Sequence, residues 1–96
     1  MAPIRFAWDP AKARANLTKH GVSFEEAETA FADDFARILP DPDHSDEEDR
    51  FLLLGVSAAL RVLVVVYCIR EEGNVIRLIS ARKATRSERA QYGTRD

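Results

Sequence analysis

Two helix boundaries are spelled out before residue 30, and they constrain the fold more than any other feature of the chain. Asp9 can cap a helix, Pro10 suits the first helical position, and Gly21 is a natural stop. Ser23-Phe24-Glu25-Glu26 then forms a capping box, with Val22 placed to staple against Ala27. With only two residues separating them, the two helices must form a hairpin. Phe24, Ala27 and Phe31 recur at spacings of three and four, which predicts a buried side that covers a sheet together with Leu17.

The rest of the chain supplies that sheet. Ile4 to Trp8 alternates apolar and other residues and reads as a short first strand, with Trp8 as a packing anchor. Phe35–Leu39 predicts a strand ending at Pro40, and Asp41–Asp49 a polar loop. Strands are expected over Arg50–Ser57, Arg61–Arg70 and Asn74–Arg82. The run Val62–Ile69 is short and β-branched, which favours strand over helix, and Glu71-Glu72-Gly73-Asn74 supplies a hairpin turn. Thr85-Arg86-Ser87-Glu88 is another capping box, opening a short helix to about Tyr92. The order gives a single α+β domain over residues 1–96: an N-terminal strand, a helical hairpin on one face of an antiparallel sheet, and a C-terminal helix. The opposite face is less well covered, and the strands bring arginines to it.

Charge is divided along the chain. Residues 1–49 hold 5 Lys/Arg against 12 Asp/Glu, and residues 50–96 hold 9 against 4, so the net charge of −2 conceals a basic half. One cysteine, Cys68, allows no disulfide within the chain, and Met1–Pro10 lacks the apolar core of a secretory signal, so a cytoplasmic protein is expected. Phe51–Ile69 reaches membrane-spanning length. Arg61 at its middle would cost about 2.5–3.5 kcal/mol to insert, so no membrane span is expected.

Metal-dependent hydrolysis has little support. His20 and His44 are 24 residues apart with no metal-ligand spacing, and Asp41–Asp49 lacks the order of a calcium loop, so no metal and no other cofactor is expected. Glycine-rich phosphate loops and a serine elbow are absent as well. What remains is cationic: Arg50, Arg61, Arg70, Arg77, Arg82, Lys83, Arg86 and Arg89, with Lys12, Asn16, Lys19 and His20 on one stripe of the first helix. Guanidinium groups fork two donors onto phosphate oxygens and can stabilise the charge that builds up in phosphoryl transfer. RNA brings its own nucleophile, the 2′-hydroxyl beside each phosphate. A base and an acid would complete such a reaction, and His20, Tyr67, Tyr92 and Lys12 are the candidates. One obstacle is visible: Arg77 and Arg82 have opposite parity on the last strand, and they share a face only if that strand ends or bulges between them.

These residues also resemble a known family. Trp8-Asp9, Lys12, Asn16, Lys19-His20-Gly21-Val22-Ser23-Phe24-Glu25-Glu26-Ala27 is similar to the N-terminal signature of the BrnT toxins of type II toxin–antitoxin systems. The likeness runs on through Phe31, Asp33, Asp41, Glu48, Arg50-Phe51, Gly55 and Val66-Tyr67. It closes with Ile76-Arg77, Ile79-Ser80-Ala81-Arg82, Glu88-Arg89 and Tyr92. The resemblance implies a RelE-like fold and a metal-independent ribonuclease that arrests translation. It implies a BrnA-like antitoxin with a ribbon-helix-helix domain, and contact with DNA only through that partner. On this reading His20, Lys12, Arg50, Arg77, Arg82 and Tyr67 are the catalytic candidates, and Lys19, Asn16, Lys83, Arg86 and Tyr92 bind RNA. The competing expectation is a non-catalytic module that docks a regulatory protein through its basic half. A direct DNA binder is disfavoured, because no helix-turn-helix pattern is present.

Overall fold

The computed structural model describes residues 3–40, 50–70 and 73–93. The elements run β1 (Arg5–Ala7), α1 (Pro10–His20), α2 (Phe24–Thr29) with a 3₁₀ turn at Ala30–Ala32, β2 (Arg37–Pro40), β3 (Arg50–Val56), β4 (Val62–Arg70), β5 (Val75–Lys83) and α3 (Arg86–Gly93). Both predicted caps form. The Asp9 carboxylate accepts from the Ala11 amide and the Ser23 hydroxyl accepts from the Glu26 amide. Gly21 ends α1 at φ +70°, a conformation few other residues adopt cheaply. The acidic stretch Asp41–Asp49 and the turn residues Glu71 and Glu72 lie outside the described residues.

The five strands form one sheet in the order β1-β5-β4-β3-β2. The antiparallel meander of β2 to β5 matches expectation, but β1 pairs with β5 in parallel, so the sheet is mixed. The crossover through the helical hairpin and the meander returns the chain to the β1 edge in the same direction, which an antiparallel sheet does not require.

Register assigns the two faces, since partnered residues share a face and the side-chain period is two. Phe6, Phe51, Leu53, Leu63, Val65, Tyr67, Ile76, Leu78 and Ala81 point toward the helices, where Val22, Phe24, Ala27 and Ala30 complete the main core. Phe6, Phe31, Tyr67 and Phe51 make successive ring contacts there, with centroids 5.0 to 5.7 Å apart. The expected contribution of Leu17 is absent: it is 52% exposed, and Ala13 is the residue of α1 that meets the core. Gly55 is required by close approach. A Cβ there would lie 3.1 Å from the Ala30 carbonyl, where the 3₁₀ turn crosses β3. On the other face, Leu52, Leu54, Val62 and Val64 make a smaller cluster with Ala84 and Tyr92, roofed by α3.

Candidate functional site

Along β4 and β5 the register advances by one residue between Val66 and Tyr67: Val66 pairs with Ser80 and Tyr67 with Leu78, leaving Ile79 as the extra residue of a bulge. This resolves the parity obstacle. After the bulge Arg82 pairs with Val64 and before it Arg77 pairs with Cys68, and Val64 and Cys68 share a face. Arg50 pairs with Cys68 from the other side. Arg50, Cys68, Arg77 and Ala7 therefore stand in one row across four strands, with Arg50 and Arg77 about 10 Å apart at two strand spacings. Arg5 and Arg70, both paired with Val75, form the next row, and Arg37 pairs with Leu54 in the row of Arg82. Six arginines thus occupy the face away from α1 and α2.

A hollow of about 470 Å³ opens on this face between Ala7, Arg70, Val75 and Arg77. Arg77 is half-buried beside it, and among the described residues no carboxylate pairs with it. Cys68, at the centre of the row, is 1% exposed. Arg82 is differently placed. Its Nη1 and Nη2 donate to the two carboxylate oxygens of Glu88 at 2.7 and 2.9 Å. That pairing holds Glu88 down at about 2 and raises Arg82 above its usual range.

The stripe on α1 is divided rather than continuous. Asn16 is 6% exposed, and its amide is fully committed: Nδ2 donates to the carbonyls of Val22 and Ala81 at 2.9 and 2.8 Å, and Oδ1 accepts from the Ala81 amide at 3.0 Å. Beyond the end of β1, this side chain takes the place of a neighbouring strand on the edge of β5. The expectation that Asn16 contacts RNA is corrected accordingly, since its hydrogen bonds bind α1 to β5. At about 100° per residue, His20 lies on the same flank of Asn16 as core-facing Ala13, and Lys12 and Lys19 lie on the other. His20 is half-buried at the end of α1, and the two lysines are exposed.

Tyr67 also departs from expectation. Register turns it to the helical face, opposite the arginines, where burial among Phe31 and Phe51 pushes its hydroxyl pKa up. Lys83 pairs with Leu63 and is likewise on the helical face, while Arg86 opens α3, exposed. The Tyr92 hydroxyl donates to the Asp33 carboxylate at 2.7 Å, so it anchors α3. Arg61 belongs to another cluster, where it pairs with Glu26 and donates to the Gly21 carbonyl. Sequence reasoning passed over Arg5 and Arg37 as site residues, and Glu88 as an anchor. The parity of Arg5 against half-buried Phe6 was the available signal; the pairing partners of Arg37 and Glu88 lie 54 and 6 residues away and leave no local trace.

Among the described residues no group of three or more His, Cys, Asp and Glu gathers closely enough to hold a metal ion, and no helix is long and apolar enough to cross a membrane. The arrangement presents fixed guanidinium donors on a rigid sheet, chemistry suited to phosphate groups.

Comparison with known proteins agrees with this architecture. The crystal structure of the Brucella abortus ribonuclease toxin, BrnT, superposes with a TM-score of 0.68 over 86% of this chain and 99% of that one, at 24% identity. At that identity the likeness speaks to the fold. No curated protein matches the chain in sequence. Residues 8–88 match the family described as "Ribonuclease toxin, BrnT, of type II toxin-antitoxin system". With most of its length so matched, the chain belongs to the BrnT family of ribonuclease toxins, proteins that act on RNA and are partnered by an antitoxin.

Proposed function

We propose that the arginine face is the RNA site and that the chain is a metal-independent endoribonuclease. The 2′-hydroxyl of the substrate loses its proton to a base and its oxygen attacks the adjacent phosphorus. The bond to the 5′-oxygen breaks as that oxygen takes up a proton, leaving a 2′,3′-cyclic phosphate and a 5′-hydroxyl. Arg77, Arg50 and Arg82 supply the donors that meet the extra negative charge of the transition state. Lys12 and Lys19, on the flank of α1 turned from core-facing Ala13, and Arg86 extend the contact along the RNA backbone, whereas His20 lies on the core flank and is given no part in the proton transfer. The observation that carries this reading is the convergence of Arg50, Arg77 and Arg82 on one face, achieved by the bulge at Ile79.

The same reading makes residues 1–96 one RelE-like toxin domain that arrests translation in the cytoplasm. Its partner is a BrnA-like antitoxin carrying a ribbon-helix-helix domain, and DNA is met only through that complex. The test is incubation of the purified chain with RNA in excess EDTA. Cleavage leaving cyclic phosphate ends is expected. RNA cut only when magnesium is added would refute metal independence, and RNA intact in both conditions would favour a non-catalytic interaction module.

A further inference from the structure

Among the described residues, an acid from α3 meets the arginine face at Arg82. Glu88 presents both carboxylate oxygens to Arg82 and accepts from the Thr85 amide at 2.8 Å. Other ties of α3 among the described residues are also polar: Tyr92 donates to Asp33, Arg37 donates to the Gln91 carbonyl at 3.0 Å, and Arg89 donates to the Ala84 carbonyl at 3.1 Å. No residue of α3 is buried, and a helix of 8 residues is too short to persist without its anchors. Beneath it Leu52, Leu54, Val62 and Val64 give an apolar seat to Ala84 and Tyr92 alone. The two N–H groups that Glu88 takes are the pair a phosphate would take from Arg82, because carboxylate and phosphate oxygens suit the same guanidinium fork.

We propose that Glu88 is an intrachain competitor for substrate phosphate at Arg82, so that α3 is a clasp which the RNA backbone opens. This rests on the arginine face being the RNA site. In the free chain the clasp neutralises Arg82 while Arg77 stays open to solvent beside its hollow. An RNA strand then engages Arg77 first and exchanges a phosphate for Glu88 second.

The test is fluorescence anisotropy of the full chain with a short labelled single-stranded RNA bearing 2′-O-methyl riboses, which cannot cleave itself by 2′-hydroxyl attack. Glu88→Gln loosens the hold on Arg82 and is expected to raise affinity roughly three- to tenfold. Tyr92→Phe unties the other end of α3 without touching Arg82, and a smaller rise is expected. Glu28→Gln makes the same change of net charge on α2, across the sheet, and is expected to leave affinity near that of the parent. Affinity unchanged or lowered in both Glu88→Gln and Tyr92→Phe overturns the clasp, as does an equal gain in Glu28→Gln. Arg77→Ala separates this from the parent reading: lost binding there with no gain in Glu88→Gln removes the clasp and keeps the RNA face. Undiminished binding in Arg77→Ala removes the RNA face and the clasp with it.

Discussion

Asn16 holds more of this molecule together than its polarity suggests. Three hydrogen bonds from one side chain join α1, the α1–α2 turn and the edge of β5. Asn16→Ala leaves the Ala81 amide and two carbonyls without partners in a buried setting, and a loss of about 2–4 kcal/mol is expected in denaturant unfolding. The helical period places Asn16 with Lys12, Lys19 and His20 but does not say which way the stripe faces, and a satisfied inward amide looks in sequence like a polar surface residue. Leu60 makes the opposite case. It is 84% exposed with φ 61° in the β3–β4 turn, a left-handed conformation costly to a branched side chain. Leu60→Gly is expected to stabilise the chain by about 0.5 kcal/mol, the strain relieved less the entropy glycine adds to the unfolded state, and a rise in melting temperature checks it.

Among the elements, those fixed by local chemistry were the legible ones. The α1 boundaries read from Asp9, Pro10 and Gly21 match the observed Pro10–His20, and the capping boxes at Ser23 and Thr85 both open helices. The parallel pairing of β1 was not legible, because its partner lies some 70 residues on and no turn between them fixes the register. The bulge was legible only as a conflict of parity between Arg77 and Arg82. The anchoring of α3 carries a pH dependence with a definite sign. Glu88 sits at about 2 against an ordinary 4.5, so its contribution is complete above about pH 4.5 and is lost as pH falls toward 2. Glu26, held low chiefly by hydrogen bonding from Arg61, loses its hold on the β3–β4 turn in the same direction. Hydrogen exchange is expected to show α3 amides losing protection below pH 4.5 while β4 and β5 stay protected. In Glu88→Gln that acid-dependent loss should vanish.

For the whole molecule, the two faces of the sheet differ in charge among the described residues. The sheet turns its main apolar side to the helical hairpin and gathers six arginines on the other face, in a chain of net charge −2. The nearly even balance hid this surface, and the alternation of the strands was the signal that revealed it. Binding to single-stranded RNA is expected to weaken steeply with salt, and Arg77→Ala is expected to reduce the slope of log K against log salt by about 0.7, one phosphate contact. Titration of RNA at several salt concentrations measures it.

The measurement that bears most directly on the account is the cleavage rate of Arg77→Ala beside Arg14→Ala, which removes an equal charge from the exposed side of α1. The account predicts that Arg77→Ala keeps a cooperative thermal transition and loses on the order of a hundredfold or more in rate, the usual scale for a lost transition-state donor, while Arg14→Ala cleaves like the parent. Equal rates in the two folded variants would contradict it.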